Sequence, residues 1–366
     1  VRAELVGDEA ALEPFRAGWD RLAVELGRPF CSPAWMLAWW RHAAPDGAVL
    51  RTVVVLHGEE VAGVAPFFEA NGRLRLLAVE ASLGVELVAR RGDEAEVARA
   101  VAEALADVEP HLIRLEGARA TPSWPRLLTG AWPGRGTWSR QELDMPSPVV
   151  ILEGTTFDEW LALRSSHFRT SLRRNRRRLD EGGAVFHVVA GADLERGLGD
   201  FAELHHSRWR ARGGSGVLTP GVEKMLPEVA RELAPENRFR LYTVEIEERV
   251  IAADICVSAG GETSWWLTGH DDEWGRSNPT MVNVVAAIEH SFASGERRFD
   301  LGGGRLELKS RLTDQEDTLE WTLLVPRGRR YALTRLQLLP GQLRRGISER
   351  LSPETKARVK RLLRRA

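Results

Sequence analysis

FRLYTVEIEERVIAADICVSAGGETSWWLTGH, residues 239–270, decides the fold. Two runs rich in β-branched and aromatic residues, 239–246 and 249–259, flank a Glu-Glu turn and predict a hairpin. A third run, 262–270, follows a Gly-Gly pair and predicts another strand. Next comes a helix with Met281, Val285, Ile288 and Phe292 on one face. RRFDLGGG (297–304) closes the set as a strand that runs into glycines.

The first half has the same order. TVVVL (52–56), a HGEE turn and VAGVAPFF (61–68) predict a hairpin, and RLRLLAVE (73–80) a strand. A helix after Asp93 carries Val97, Val101 and Leu105, and HLIRLEG (111–117) is a strand. GEEVAGV (58–64) overlays EERVIAA (247–253), and HLIRLEG overlays RRFDLGG (297–303). The pattern is an internal duplication of an α/β unit: hairpin, strand, helix, strand. The expected fold class is α/β, two units each with a mixed twisted sheet flanked by helices. The expected boundaries are 1–150, 151–326 and a basic helical tail, 327–366.

Further helices surround these units. Phe15, Trp19, Leu22 and Leu26 share a helix face, and in CSPAWMLAWWRHA Ser32 is an N-cap with Pro33 at the first helical position. FRTSLRRNRRRL (168–179) predicts a helix with Phe168, Leu172 and Leu179 on one side and arginines on the rest. FAELHHSRWRARG (201–213) predicts another, ending at Gly213, and 222–234 a shorter one interrupted by Pro227. EWTLLV (320–325) adds a strand. TPSWPRLLTGAWPGRGTW (121–138) reads as irregular.

The 366 residues carry a net charge of −1, so the molecule as a whole is not a polyanion binder. The two cysteines, Cys31 and Cys256, have no disulfide or zinc spacing, which fits a reducing compartment and predicts no metal. The N-terminus lacks an apolar signal core, and no run approaches the ~20 apolar residues that span a bilayer. The expected location is cytoplasmic, with a peripheral inner-membrane position as a variant.

FCSPAWMLAWW, VVVLHGEEVAGVAPFF, the FRTSLRRNRRRL helix, LHHSRWRARGG and the block from WWLTGHDDEW through FDLGGGRLELKSRLT resemble CelD/BcsL-type acetyltransferases. These are tandem relatives of the GNAT superfamily, linked by name to cellulose and exopolysaccharide synthesis. The resemblance covers about residues 25–325, and the same blocks look like Fem-type aminoacyltransferases. It implies an acyl donor, acetyl-CoA or another acyl-CoA, at the strand–loop–helix of 264–292. Two neighbouring strands would splay, and the free backbone of Trp266, Leu267 and Thr268 would pair with the pantetheine amides. Arg276, Ser277, Asn278, Thr280 and Met281 would meet the pyrophosphate at a helix N-terminus, which favours anions. The departure is the loop itself, with Gly275 as its one glycine where a GNAT loop carries Q/R-x-x-G-x-G/A.

Direct acyl transfer needs a base, an oxyanion donor and two substrates in contact. Asp254 interrupts an apolar strand and is a candidate base, with a solvent-facing Asp as the alternative. His205 and Trp209 lie four apart on a helix face; a core His is the alternative role for His205. His270 ends the donor strand, and Asp300 sits before three glycines as a base or a turn former. Lys309 fits the family's lysine after that loop and would touch acceptor or phosphate; a surface lysine is the alternative. Trp265 and Trp266 project to opposite faces, one into the core and one toward an acceptor groove. Cys256 reads as core filler.

Arg169, Arg173 and Arg177 form a stripe on the 168–179 helix: a solvated face, an anionic-ligand surface or, third, a nucleic-acid surface. From Arg327 to Ala366 there are thirteen Lys or Arg and two Glu, and Ser352-Pro353-Glu354 starts a helix whose apolar side holds Val359, Leu362 and Leu363. That tail would lie on an anionic membrane surface, a partner or RNA. The expected reaction moves an acyl group from acyl-CoA to an amine or hydroxyl of a sugar, glycan precursor or small metabolite. The alternatives are Fem-like transfer from aminoacyl-tRNA and a non-catalytic ligand-binding module.

Overall fold

The computed structural model describes residues 1–211 and 213–339. The first half contains β1 (Arg2–Val6), α1 (Arg16–Leu26), α2 (Pro33–Ala43), β2 (Val49–His57), β3 (Glu60–Ala70), β4 (Arg73–Leu76) and β5 (Val88–Ala89). It continues with α3 (Glu94–Ala106), β6 (Leu112–Arg119), α4 (Trp124–Ala131) and β7 (Thr137–Ile151). Then come α5 (Phe157–Ala162), α6 (Ser166–Glu181), β8 (Val185–Val189), α7 (Leu194–Arg210), α8 (Pro220–Leu233), β9 (Phe239–Ile246), β10 (Arg249–Ala259) and β11 (Glu262–His270). The last elements are α9 (Pro279–Ala293), β12 (Arg298–Asp300), α10 (Glu307–Leu312) and β13 (Glu316–Pro326). A helical segment, 331–339, packs on β13.

All strands join one mixed sheet, in the order β1-β2-β3-β4-β6-β13-β7-β12-β11-β10-β9-β8, with β5 beside β3. Read inward from either end, the order repeats. β1-β2-β3-β4-β6 and β8-β9-β10-β11-β12 each run antiparallel except for one parallel pair, β4 with β6 and β11 with β12. The sixth strand is exchanged. β13, late in the chain, pairs with β6 of the first half, while β7 pairs with β12 of the second, and the two exchanged strands pair with each other along their length.

The larger core joins both halves: Trp19, Trp35 and Phe67 pack in one cluster with Phe201 and Met225. A second core, with Trp160, Phe168, Leu179, Ile288 and Phe299, lies under α6 and α9. Local rules set the helix ends. Ser32 accepts the Trp35 N–H with Pro33 in the first turn, and Ser165 caps α6 at Phe168 N–H, 3.1 Å. Phe168, Leu172 and Leu179 are buried, and Arg173, Arg174 and Arg177 are exposed.

Several expectations change. The 121–138 stretch holds α4 and the start of β7, a 15-residue strand. β7 runs through Pro146 and Pro148, which argue against a central strand. Their carbonyls accept Gly304 and Leu301 N–H groups, on the side away from β13, so the missing donors fall where no long ladder forms. The 73–80 strand ends at Leu76, and Ala78 takes a left-handed turn, φ +60°. α8 continues through Pro227 because Val222, Met225, Leu226 and Val229 bury one face. Among the described residues no helix is long and apolar enough to cross a membrane. The tail expected from 327 lies outside the described residues beyond 339, including its 352–363 helix.

Candidate active site

β11 and β12 pair only through Glu262–Ser264 and Arg298–Asp300. Beyond Ser264, β11 keeps β10 on one side and no strand on the other. The parting coincides with a bulge: Cys256 faces Trp265, Ile255 faces Leu267, and Trp266 is the extra residue. A bulge bends its strand and re-aims side chains. The wedge it opens is a cleft of about 420 Å³, walled by β11, the 300–303 turn, α7, α10 and the 79–84 loop of the first half.

The adjacent tryptophans take different partners. Trp266 stacks edge-on against Trp35 at 5.0 Å and donates its indole N–H to the Ala81 carbonyl, 2.7 Å, binding the two halves. Trp265 donates to Asp254 Oδ1, 2.7 Å, and Asn283 Nδ2 donates to Oδ2, 2.6 Å. Asp254 is fully buried, and burial pushes its carboxyl up to about 6. It does not line the cleft but holds the tryptophan that does.

His205 lines the cleft from α7. Its Nδ1 donates to the Thr268 carbonyl, which fixes the tautomer, and the Ser215 hydroxyl donates to Nε2, both at 2.9 Å. Burial lowers its pKa. Both nitrogens are engaged, so His205 positions β11 and has no lone pair to spare. α7 approaches this closely because residue 269 is glycine: a Cβ there would lie 2.7 Å from the His205 backbone nitrogen. Trp209, one turn on, also lines the cleft, its ring 6.2 Å from that of His205.

On the opposite wall, Asp300 Oδ1 accepts the Ser147 hydroxyl, 2.9 Å, and the Gly302 N–H, 2.8 Å. Its Oδ2 lies 3.6 Å from Arg119. Lys309 Nζ donates to the Gly302 and Gly303 carbonyls, both at 2.8 Å. Lys309 is 6% exposed, and burial brings its ammonium down to about 8, against the opposing pull of Asp300. A neutral amine has two N–H groups and one lone pair. Two carbonyls saturate the N–H groups and leave the lone pair for the cleft.

The loop before α9 is arranged differently from expectation. Asn278, at φ +44°, turns its side chain onto the Met281 N–H and caps its own helix. Ser277 and Met281 are buried, Arg276 is exposed, and its carbonyl accepts from Arg178, 3.2 Å. Only Thr280 of this group reaches the cleft, and its hydroxyl meets His270 Nδ1 at 3.0 Å. His270 lies outside the cleft, with a pKa lowered by burial first and by Arg208 next. Thus His205, Trp209, Trp265, Trp266, Leu267, Thr268, Thr280, Asp300 and Lys309 converge, whereas Asp254, His270, Arg276, Ser277, Asn278 and Met281 do not line the cavity.

The sequence did not expose the ion network beneath the Asp300 wall. Arg119 forks onto both oxygens of buried Glu262, one contact at 3.1 Å, and Arg298 and Asp317 extend the cluster. Glu86, also buried, holds Arg28 and the Arg119 N–H, and burial raises its pKa. These residues are far apart in the chain and carry no motif.

Residues 166–310 match the family model described as an acetyltransferase (GNAT) domain. No curated protein matches the chain. Among solved structures, FemX aligns at a TM-score of 0.57 and 11% identity, over 87% of this chain and 96% of that one. L-PGS from Bacillus licheniformis aligns at 0.55 and 13%, over 90% and 95%. A conserved protein of unknown function from Bacteroides thetaiotaomicron aligns at 0.51 and 9%, over 88% and 99%. At these identities the likeness is one of fold.

Proposed function

We propose that this chain, whose second half carries the match to a GNAT-type acetyltransferase domain, transfers an acyl group within the β11–β12 cleft. The donor is a thioester, acetyl-CoA in the simplest case. Its pantetheine arm enters the wedge along Trp266–Leu267, since His205 already occupies the Thr268 carbonyl. The acceptor is an amine or hydroxyl of a sugar, glycan precursor or small metabolite. Trp209 and Trp266 offer it aromatic walls.

The observation that carries this reading is Lys309. In its neutral form it takes a proton from the attacking nucleophile as the new bond to the acyl carbon forms. The ammonium then has three N–H groups, two for the carbonyls and one for the departing thiolate as the C–S bond breaks. The same proton leaves with the thiol, so nothing accumulates on the enzyme. Asp300, pinned by Ser147 and Gly302, favours the charged form of its neighbour between those steps. Burial of the amine brings its pKa near working pH, as general-base catalysis requires.

The test is turnover of acetyl-CoA with a panel of amines and amino sugars, for the native chain and for Lys309→Met. Thiol release that depends on acceptor and disappears in the variant supports the reading; no turnover with any acyl-CoA overturns it. The FemX-like fold and the exposed arginines of α6 favour a second reading, transfer from aminoacyl-tRNA. That reading predicts tRNA binding that falls steeply with salt.

A further inference from the structure

The last described segment has two unlike faces. Tyr331 and Leu338 turn inward, onto Leu112, Leu323 and Val325 beside Trp138, and Thr334 is buried on the same side. Arg335 Cζ lies over the Trp138 ring, 3.7 Å from its centroid, and the guanidinium donates to the Tyr331 hydroxyl, 3.0 Å. This face anchors the helix to the exchanged strands. The other face carries Leu333, Leu336 and Leu339, which are 54%, 62% and 42% exposed. At 100° per residue these three fall within one third of the helix circumference, on the side away from Thr334 and Leu338.

The charge around the leucines is of one sign. From Trp321 to Leu339, the end of the described chain, there is no acidic residue and there are four arginines. Arg327, Arg329 and Arg330 are exposed at the start of the helix. The Arg327 N–H donates to the Gly136 carbonyl, 3.0 Å, so the 132–136 loop sits against them and adds exposed Arg135. A leucine stripe that follows exposed guanidinium groups, on a stretch of chain without carboxylates, is complementary to a surface that is apolar inside and anionic outside. Two copies of the chain meeting on this face would bring their arginine clusters together, which disfavours a self-interface.

We propose that the 331–339 helix docks the protein on an anionic lipid bilayer, with Leu333, Leu336 and Leu339 in the headgroup–acyl boundary and the arginines on lipid phosphates. This inference does not depend on the acyltransferase reading.

The experiment is cosedimentation of the full chain with vesicles of phosphatidylcholine alone or with about a third phosphatidylglycerol. Binding to the anionic vesicles is expected to exceed that to neutral ones at least about tenfold, and to weaken between about 0.1 and 0.5 M salt. Leu333→Glu/Leu336→Glu is expected to abolish binding without changing the melting temperature, since both side chains face outward. Arg329→Glu/Arg330→Glu is expected to do so while keeping the leucines. No preference for anionic vesicles, or binding indifferent to the leucine variant, overturns the proposal. A melting temperature lowered by that variant also overturns it, because the leucines would then be covered by the chain itself. So does a native dimer that the variant dissociates.

Discussion

Replacing Lys309 with Met tests the site at its centre. The ammonium is almost wholly buried between two glycine carbonyls and is brought from 10.5 to about 8. A tenfold change in proton affinity is worth about 1.4 kcal/mol, so the charged form is disfavoured in the fold by about 3 kcal/mol. The unfolded chain holds this proton up to about pH 10.5, and the folded chain releases it near 8. Unfolding therefore takes up a proton between those values, and stability rises with pH across that window. Methionine has nothing to titrate. The native-minus-variant difference in unfolding free energy, from urea melts at fixed pH, should grow by about 3 kcal/mol between pH 7.5 and 10.5 and stay flat below that window. Activity gives an independent readout. The native kcat/KM should rise with unit slope toward a plateau, with its midpoint near pH 8, and the variant should lose about 10²–10⁴-fold. Lys309→Arg separates proton transfer from positive charge alone, because arginine keeps the charge but cannot release its proton. Parallel melting curves for native protein and Met variant would refute the buried-amine argument. An arginine variant with near-native turnover would refute the base.

Asp254 should behave in the opposite sense. Its pKa is raised, so the folded state binds the proton more tightly and stability falls as pH rises from about 4 to 6, by about 3 kcal/mol relative to Asp254→Asn; acid-range melts of the pair measure it. Gly269→Ala should push α7 off β11 and lower donor affinity and stability together, because the new methyl meets backbone rather than a yielding side chain; calorimetry with acetyl-CoA and a thermal melt report both. Glu262→Gln removes the carboxylate that takes both Arg119 N–H groups and leaves that guanidinium to Asp300 and Asp317 at 3.6 and 3.7 Å; it should destabilise by about 1.5–3 kcal/mol, as read by urea midpoints.

Much of the architecture is legible along the chain because hydrophobic period and turn chemistry are local. The 239–270 hairpin and strand, the repeated order in the first half and the caps at Ser32 and Ser165 follow from neighbours within a few residues. β7 is hidden because two prolines outweigh its pattern, and they are tolerated only through where their carbonyls point, which no window of sequence reveals. The site divides the same way. Asp300 ends β12, Lys309 sits in the short helix α10 after it and the paired tryptophans lie in β11, all beside one cleft. Asn278 reads as a donor to phosphate, yet the nearest acceptor-seeking group is its own helix N-terminus, and that contact wins. Arg119, Glu262 and Glu86 form a cluster whose members gain meaning only from each other.

The exchanged sixth strands bear on where such a chain can be cut. β7 and β13 occupy equivalent places, each completing the sheet of the other half. Neither half is a portable module. A fragment beginning after Ile151 would keep β13 but present the bare edge of β12. Two such fragments would satisfy each other by setting β13 of one beside β12 of the next, a twofold body rebuilt from one segment of the chain.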